Sequence, residues 1–217
     1  RQMQSEVIEM AGVWLGSPTD AAGYFTSGGT ESILMAVKAA RDQFRTEASI
    51  THPNIVLPTS AHAAFDKAAA YFGVELRRVA VLPNWRADVA SMAERIDKNT
   101  IMIVGSAPQY PQGVVDDIPA LAALAQRQNI NCHVDACMGG VSLAYLSRLG
   151  HQIPPWNLHV DGVTSISVDL HKFGYTSKGA SVIMYADKRL RSYQGFFTDQ
   201  WLGGVYASSG MLGTKSG

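Results

Sequence analysis

Two lysines, Lys172 and Lys178, stand six positions apart in SISVDLHKFGYTSKGASVIMY, residues 165–185. β-branched apolar runs flank them on both sides. An amine at the end of a buried strand is costly unless its charge or nucleophilicity is used, and crowding there is expected to lower its pKa. Two other segments hold complementary groups. NCHVDACMGG, residues 131–140, ends a strand pattern on Asp135, and strand alternation puts His133, Asp135 and Cys137 on one face. FTSGGTES, residues 25–32, sets Gly28 and Gly29 before the longest helical pattern, with Thr30 as the expected N-cap of a helix starting at Glu31. Amides exposed at such a helix start attract phosphate.

Each segment has an ordinary reading when taken alone. GGT is also a tight turn with a cap, Asp135 also a buried carboxylate closing a turn, and Lys178 also a solvated loop charge. A metal on the His133–Asp135–Cys137 face is disfavoured, because no second ligand cluster accompanies that spacing. Taken together the three segments are complementary. Pyridoxal 5'-phosphate requires a lysine for its Schiff base, a carboxylate that keeps its ring nitrogen protonated and a cradle for its phosphate. Lys172, Asp135 and the turn of Gly28, Gly29 and Thr30 supply these, and His62 offers a flat ring to stack on the cofactor.

Strand patterns over 54–57, 76–81, 101–105, 132–136, 163–168 and 180–185 alternate with helical patterns over 4–15, 30–46, 61–72, 89–96 and 118–128. This predicts an α/β fold, a mostly parallel sheet covered by helices on both faces. Only a loop joins the last two strands, which must therefore be antiparallel and make the sheet mixed. Ligands in such sheets sit beyond the carboxyl ends of the strands. His62, Asp135 and the loop from Asp169 to Lys172 all fall at or near such ends.

The 217 residues are 47% hydrophobic and 17% charged with zero formal net charge, which supplies a core and no basic field for nucleic acid. Apolar runs are too short for a membrane span. Cys132 and Cys137 make no disulfide framework and read as small buried groups in a reducing, cytoplasmic setting. The chain begins at Arg1 within a helical pattern and stops at GTKSG, so a longer protein is expected, of which these residues form one domain. Trp14, Trp85, Trp156 and Trp201 read as packing, and His151 and His159 have no partner spacing.

GGTES, HVDACMGG and SISVDLHKFGYTSKGAS resemble the group II decarboxylase superfamily of fold-type I pyridoxal-phosphate enzymes. HVDAC-x-GG and the D-x-HK-x-G-x-x-x-KG loop are most similar to its sphingosine-phosphate lyase branch, as are residues 105–118 and 203–217. The resemblance implies that residues 1–217 are the cofactor-binding large domain, without its amino-terminal segment and small carboxyl-terminal domain. It implies a Schiff base on Lys172, Asp135 at the ring nitrogen, His62 over the ring, and Gly29, Thr30 and His171 at the phosphate. Tyr110 and Lys178 match positions near the reacting end of the substrate. Thr214 matches a hydroxyl residue that reaches the neighbouring subunit's cofactor phosphate, which implies a homodimer with shared sites. Lys215 and SSG stand where the family usually has arginine and Ser-Pro-Thr, so the planar fork for phosphate is lost there.

The implied activity is retro-aldol cleavage of a phosphorylated sphingoid base, an amphiphilic amino-alcohol, to a long-chain aldehyde and phosphoethanolamine. Tyr110, Lys172 and Lys178 are the candidate proton carriers. Two alternatives stand beside it: an amino-acid decarboxylase, whose substrate carries an α-carboxylate, and a non-catalytic relative that binds cofactor or partner. The intact Lys172, Asp135 and His62 speak against the latter.

Overall fold

The computed structural model describes residues 2–211. Helix α1 (Gln2–Leu15) and strand β1 (Ala22–Thr26) lead into the long helix α2 (Gly29–Ala48). Three strand–helix units follow: β2 (Asn54–Pro58) and α3 (Ala64–Phe72), β3 (Glu75–Val79) and α4 (Val89–Ala93), β4 (Thr100–Ser106) and α5 (Ile118–Gln128). The chain continues through β5 (Asn131–Asp135), α6 (Ser142–Arg148), β6 (Ser165–Asp169), β7 (Ser181–Tyr185) and α7 (Lys188–Ser192). A hairpin of β8 (Phe196–Thr198) and β9 (Tyr206–Ser208) comes last.

The strand order in the main sheet is β1-β7-β6-β5-β4-β2-β3. β7 is antiparallel to both its neighbours, β1 and β6, whereas the other pairs are parallel. β1, β2, β3, β4, β5 and β6 therefore point one way and β7 alone runs against them. The central strands are buried along their length, as expected for a sheet with helices on both faces. On one face Ile33 and Val37 of α2 and Phe65 of α3 pack over Ile55, Leu57 and Ile101. On the other, Leu15 of α1 and Ile118 and Leu121 of α5 pack over Val56, Ile103 and Val134. Burying one such side chain contributes about 1.5–3 kcal/mol. An exposed ion pair such as Lys188 with Asp20 is worth about 0–1 kcal/mol. The two apolar faces therefore hold the sheet.

The mixed sheet and its antiparallel closing pair are as the sequence predicts, and α5 occupies the expected span because Asp117 caps it, accepting from Ala120 N at 3.1 Å. Other elements differ. The segment of β1 opens with Ala22 and Gly23, which leave only the short run of Tyr24, Phe25 and Thr26 as a strand signal, and pairing with β7 extends the strand over all five residues. The helix expected from residue 61 starts at Ala64, where His62 Nδ1 accepts the Ala64 N–H at 3.0 Å. Thr30 is not an N-cap. Helix α2 already begins at Gly29 after an extended Gly28, and capping is taken over by Glu31, which reaches back to accept from Ser27 N at 2.6 Å and Ser27 Oγ at 2.7 Å. Among the described residues no helix is long and apolar enough to cross a membrane.

Candidate active site

Because six strands share one direction, the ends of β1, β2, β4, β5 and β6 meet at one edge of the sheet. The reversed β7 starts at that same edge, so the loop between β6 and β7 leaves and re-enters there. A cavity of about 580 Å³ opens at this edge. It is lined by Gly28, Gly29 and Thr30 after β1, His62 after β2, Tyr110 after β4, Asp135 and Cys137 at the end of β5, and His171, Lys172 and Lys178 between β6 and β7. The structure thus brings together every site residue predicted from the sequence except Thr214 and its neighbour Lys215, which lie outside the described residues.

The glycine turn is held from beneath by hydroxyls. Ser32 Oγ, in the first turn of α2, lies 2.6 Å from Thr26 Oγ1 and 2.9 Å from Ser181 Oγ, and Ser181 Oγ donates to Val168 O at 3.0 Å. This chain ties α2 to β1, β7 and β6, so the amides of its first turn, which have no partner within the helix, are fixed at the cavity wall. A Cβ on Gly29 would lie 2.7 Å from Cys137 Sγ and 2.8 Å from Asp169 Oδ2. Among the described residues, a Cβ on Gly28 would meet only His171 Cε1, at 3.6 Å.

Lys172 Nζ donates to Asp169 Oδ2 at 2.9 Å. Crowding at the strand end predicts a lowered lysine pKa, and the structure gives the opposite. Burial pulls the amine down, but the hydrogen bond to Asp169 and the surrounding anionic groups outweigh it and hold Lys172 above the usual lysine value. Asp169 is itself buried, and its Oδ1 has no hydrogen-bond partner among the described residues. His171 accepts the Ala180 N–H on Nδ1 at 3.2 Å, which leaves its Nε2 as the proton-bearing nitrogen, 3.7 Å from Asp169 Oδ2. Asp135 is buried at the cavity floor and accepts the Cys137 N–H on Oδ1 at 3.0 Å. Its Oδ2 takes no hydrogen bond from any described residue. Tyr110 and Lys178 are exposed at the rim. The cavity is therefore acidic at its floor and rich in cations and amides at its wall and rim.

These groups fit pyridoxal 5'-phosphate. An amine stands beside the cavity, a carboxylate oxygen is left without a donor among the described residues, and a glycine turn at a helix start would be closed by any side chain at position 29. Asp169 sits at this centre, three residues before Lys172. Its signal in the sequence is a carboxylate at a strand end next to a lysine. Glu31 and Ser32 read as ordinary residues of an amphipathic helix and give no signal.

Residues 2–207 match the pyridoxal-dependent decarboxylase conserved domain. The chain is similar to mouse sphingosine-1-phosphate lyase 1, with 48% identity over 218 residues that cover 100% of this chain and 38% of the mouse protein. The solved structure of a sphingosine-1-phosphate lyase from Burkholderia pseudomallei superposes with a TM-score of 0.96 at 40% identity, covering 100% of this chain and 52% of that one. A glutamate decarboxylase from Lactobacillus brevis shares the fold, with a TM-score of 0.80 at 22% identity over 96% of this chain and 50% of that one. This chain thus spans under two-fifths of the mouse protein's length and about half of the Burkholderia chain.

Proposed function

Because the chain belongs to the pyridoxal-dependent decarboxylase family, whose cofactor is pyridoxal 5'-phosphate, we propose that it is the cofactor-binding large domain of a carbon–carbon lyase acting on a phosphorylated sphingoid base. The observation that carries this reading is the breadth of the likeness to the mouse lyase, 48% identity over the whole chain.

When bound, the cofactor supplies a carbonyl that joins an amine and a ring that withdraws electrons from the bond being broken. Lys172 offers the amine that holds it. Asp135 Oδ2 would serve the ring nitrogen, His62 would stack on the ring, and the amides of Gly29 and Thr30 with His171 Nε2 would hold the phosphate. Lys178 at the rim gives the substrate's phosphate a cation, for which an amino acid's α-carboxylate has less need. In the overall reaction the substrate hydroxyl loses its proton as the neighbouring carbon–carbon bond breaks. The carbon bearing the amine gains a proton, so that aldehyde and phosphoethanolamine together contain the atoms of the substrate. Tyr110, Lys172 and Lys178 are the candidate carriers of these protons.

The enzyme works as a cytoplasmic homodimer in this reading, with Thr214 of one subunit reaching the other's phosphate site. Mixing Lys172→Ala protein with a Thr214 variant shown to bind cofactor weakly should then restore activity, because some heterodimers carry one unaltered site. No recovery after confirmed subunit exchange would place Thr214 in its own chain's site or in none. The reaction is tested in the full-length protein by measuring aldehyde release from a phosphorylated sphingoid base beside carbon dioxide release from amino acids. Carbon dioxide without aldehyde would make it a decarboxylase.

A further inference from the structure

β5 and β6 pair in parallel with His133 opposite Ser165 and Asp135 opposite Ser167. Alternate residues of both strands therefore share a face, and on that face they form a continuous chain. Ser165 Oγ lies 2.8 Å from His133 Nδ1, His133 Nε2 lies 3.3 Å from Ser167 Oγ, and Ser167 Oγ lies 3.3 Å from Asp135 Oδ1. All four residues are buried, and Phe65 packs against the His133 ring in a T-shaped contact with the centroids 6.0 Å apart.

The direction of the chain follows from donor counting. Burial pushes the pKa of His133 down to about 4 against a weaker upward pull from Asp135, so the ring is neutral and donates from one nitrogen only. Ser167 has a single proton, and a carboxylate can only accept. With that proton on Asp135 Oδ1, Ser167 Oγ accepts from His133 Nε2, and His133 Nδ1 accepts from Ser165. Each member is then satisfied, as buried polar groups require.

We propose that His133, acting through Ser167, is a positioning residue for the cofactor: it holds the Asp135 carboxylate by Oδ1 so that Oδ2 is left for the ring nitrogen. This rests on the reading that Asp135 faces that nitrogen. The Cys137 N–H engages the same Oδ1, so two donors on one oxygen fix which oxygen faces the cavity.

The test compares wild type, Ser167→Ala, His133→Leu and His133→Gln as holoenzymes. The cofactor's dissociation constant, its visible absorbance and circular dichroism, and the thermal midpoint of each protein are measured. Ser167→Ala and His133→Leu should weaken cofactor binding about tenfold, the scale of one hydrogen bond to a charged group, and alter the dichroism of the bound ring. His133→Gln, whose amide can donate to Ser167, should recover most of both. Wild-type affinity and dichroism in Ser167→Ala and His133→Leu would overturn the proposal. So would equal losses in His133→Leu and His133→Gln that track the thermal midpoint, since the residue would then only pack. Failure of the wild type to bind the cofactor would overturn the underlying reading as well, and so is distinguishable from failure of the relay alone.

Discussion

Lys172 Nζ and Asp169 Oδ2 stand 2.9 Å apart, and Asp169 is almost fully buried. The pair keeps the amine charged in the cofactor-free protein. A lysine whose pKa is raised on folding stabilises the fold fully below its unfolded value near 10.5, and that contribution is lost as pH rises through the folded value. Asp169→Asn should lower the lysine's pKa. Acylation of Lys172 near pH 9, followed by peptide mapping, should then run several-fold faster than in wild type, and an unchanged rate would show that Asp169 does not control the amine.

Lys172→Ala should abolish covalent fixation of the cofactor by borohydride. It should also cost about 1–3 kcal/mol, because a buried carboxylate loses its partner. The double variant Asp169→Asn, Lys172→Ala should regain part of that stability. Chemical denaturation of the three proteins without cofactor measures this, and additive losses would mean the two side chains are uncoupled.

Asp135→Asn keeps the side chain's size and removes its charge. Turnover should fall by about two to four orders of magnitude with a much smaller change in stability. Steady-state kinetics beside thermal denaturation checks it. Near-normal turnover would reduce Asp135 to a structural carboxylate.

Gly28 and Gly29 should respond differently to the same methyl group. Gly29→Ala would press on Cys137 Sγ and Asp169 Oδ2 and should raise the cofactor's dissociation constant at least tenfold, whereas Gly28→Ala meets, among the described residues, only His171 Cε1 at ordinary contact distance and should bind nearly as wild type. Fluorescence titration decides it. Equal binding by both variants would remove the turn from the phosphate site.

Acid should destabilise the protein partly through His133. Above pH about 6.5 folded and unfolded histidine are both neutral; as pH falls toward about 4 only the unfolded chain takes up the proton. The folded state should lose up to about 3 kcal/mol across this window, and His133→Gln should flatten that part of the profile. Urea midpoints at several pH values without cofactor measure it, and an identical acid slope in the variant would assign the loss to other groups.

Strand ends and glycine turns are local signals, which is why Lys172, Asp135, His62 and the Gly28–Gly29 turn are legible in the amino-acid sequence. The sheet order that brings them together is legible only as a class, from the alternation of strand and helix patterns. β1 is barely so, because Ala22 and Gly23 shorten its pattern to three residues and pairing with β7 completes the strand. The raised pKa of Lys172 runs against the sequence expectation because the balance between burial and a carboxylate depends on a 2.9 Å contact that spacing does not fix. For His133, residue type and strand alternation suggest only a weak metal face. Its neutral, hydrogen-bonded state follows from the register of β5 against β6, which no single strand encodes.

The reversal of β7 separates two kinds of distance in the site. Lys172 and Lys178 both lie on one loop whose two ends are fastened at the same edge. The spacing between their amines is thus set by chain length and can drift by one residue at a time, with both strands left in register. The separation of Asp169, to which Lys172 is tied at 2.9 Å, from Asp135 has no such freedom, because the two carboxylates end buried strands that cannot slip without turning their inner faces out. Small insertions in that loop therefore move the Lys178 amine while the register of β5 against β6 stays as it is.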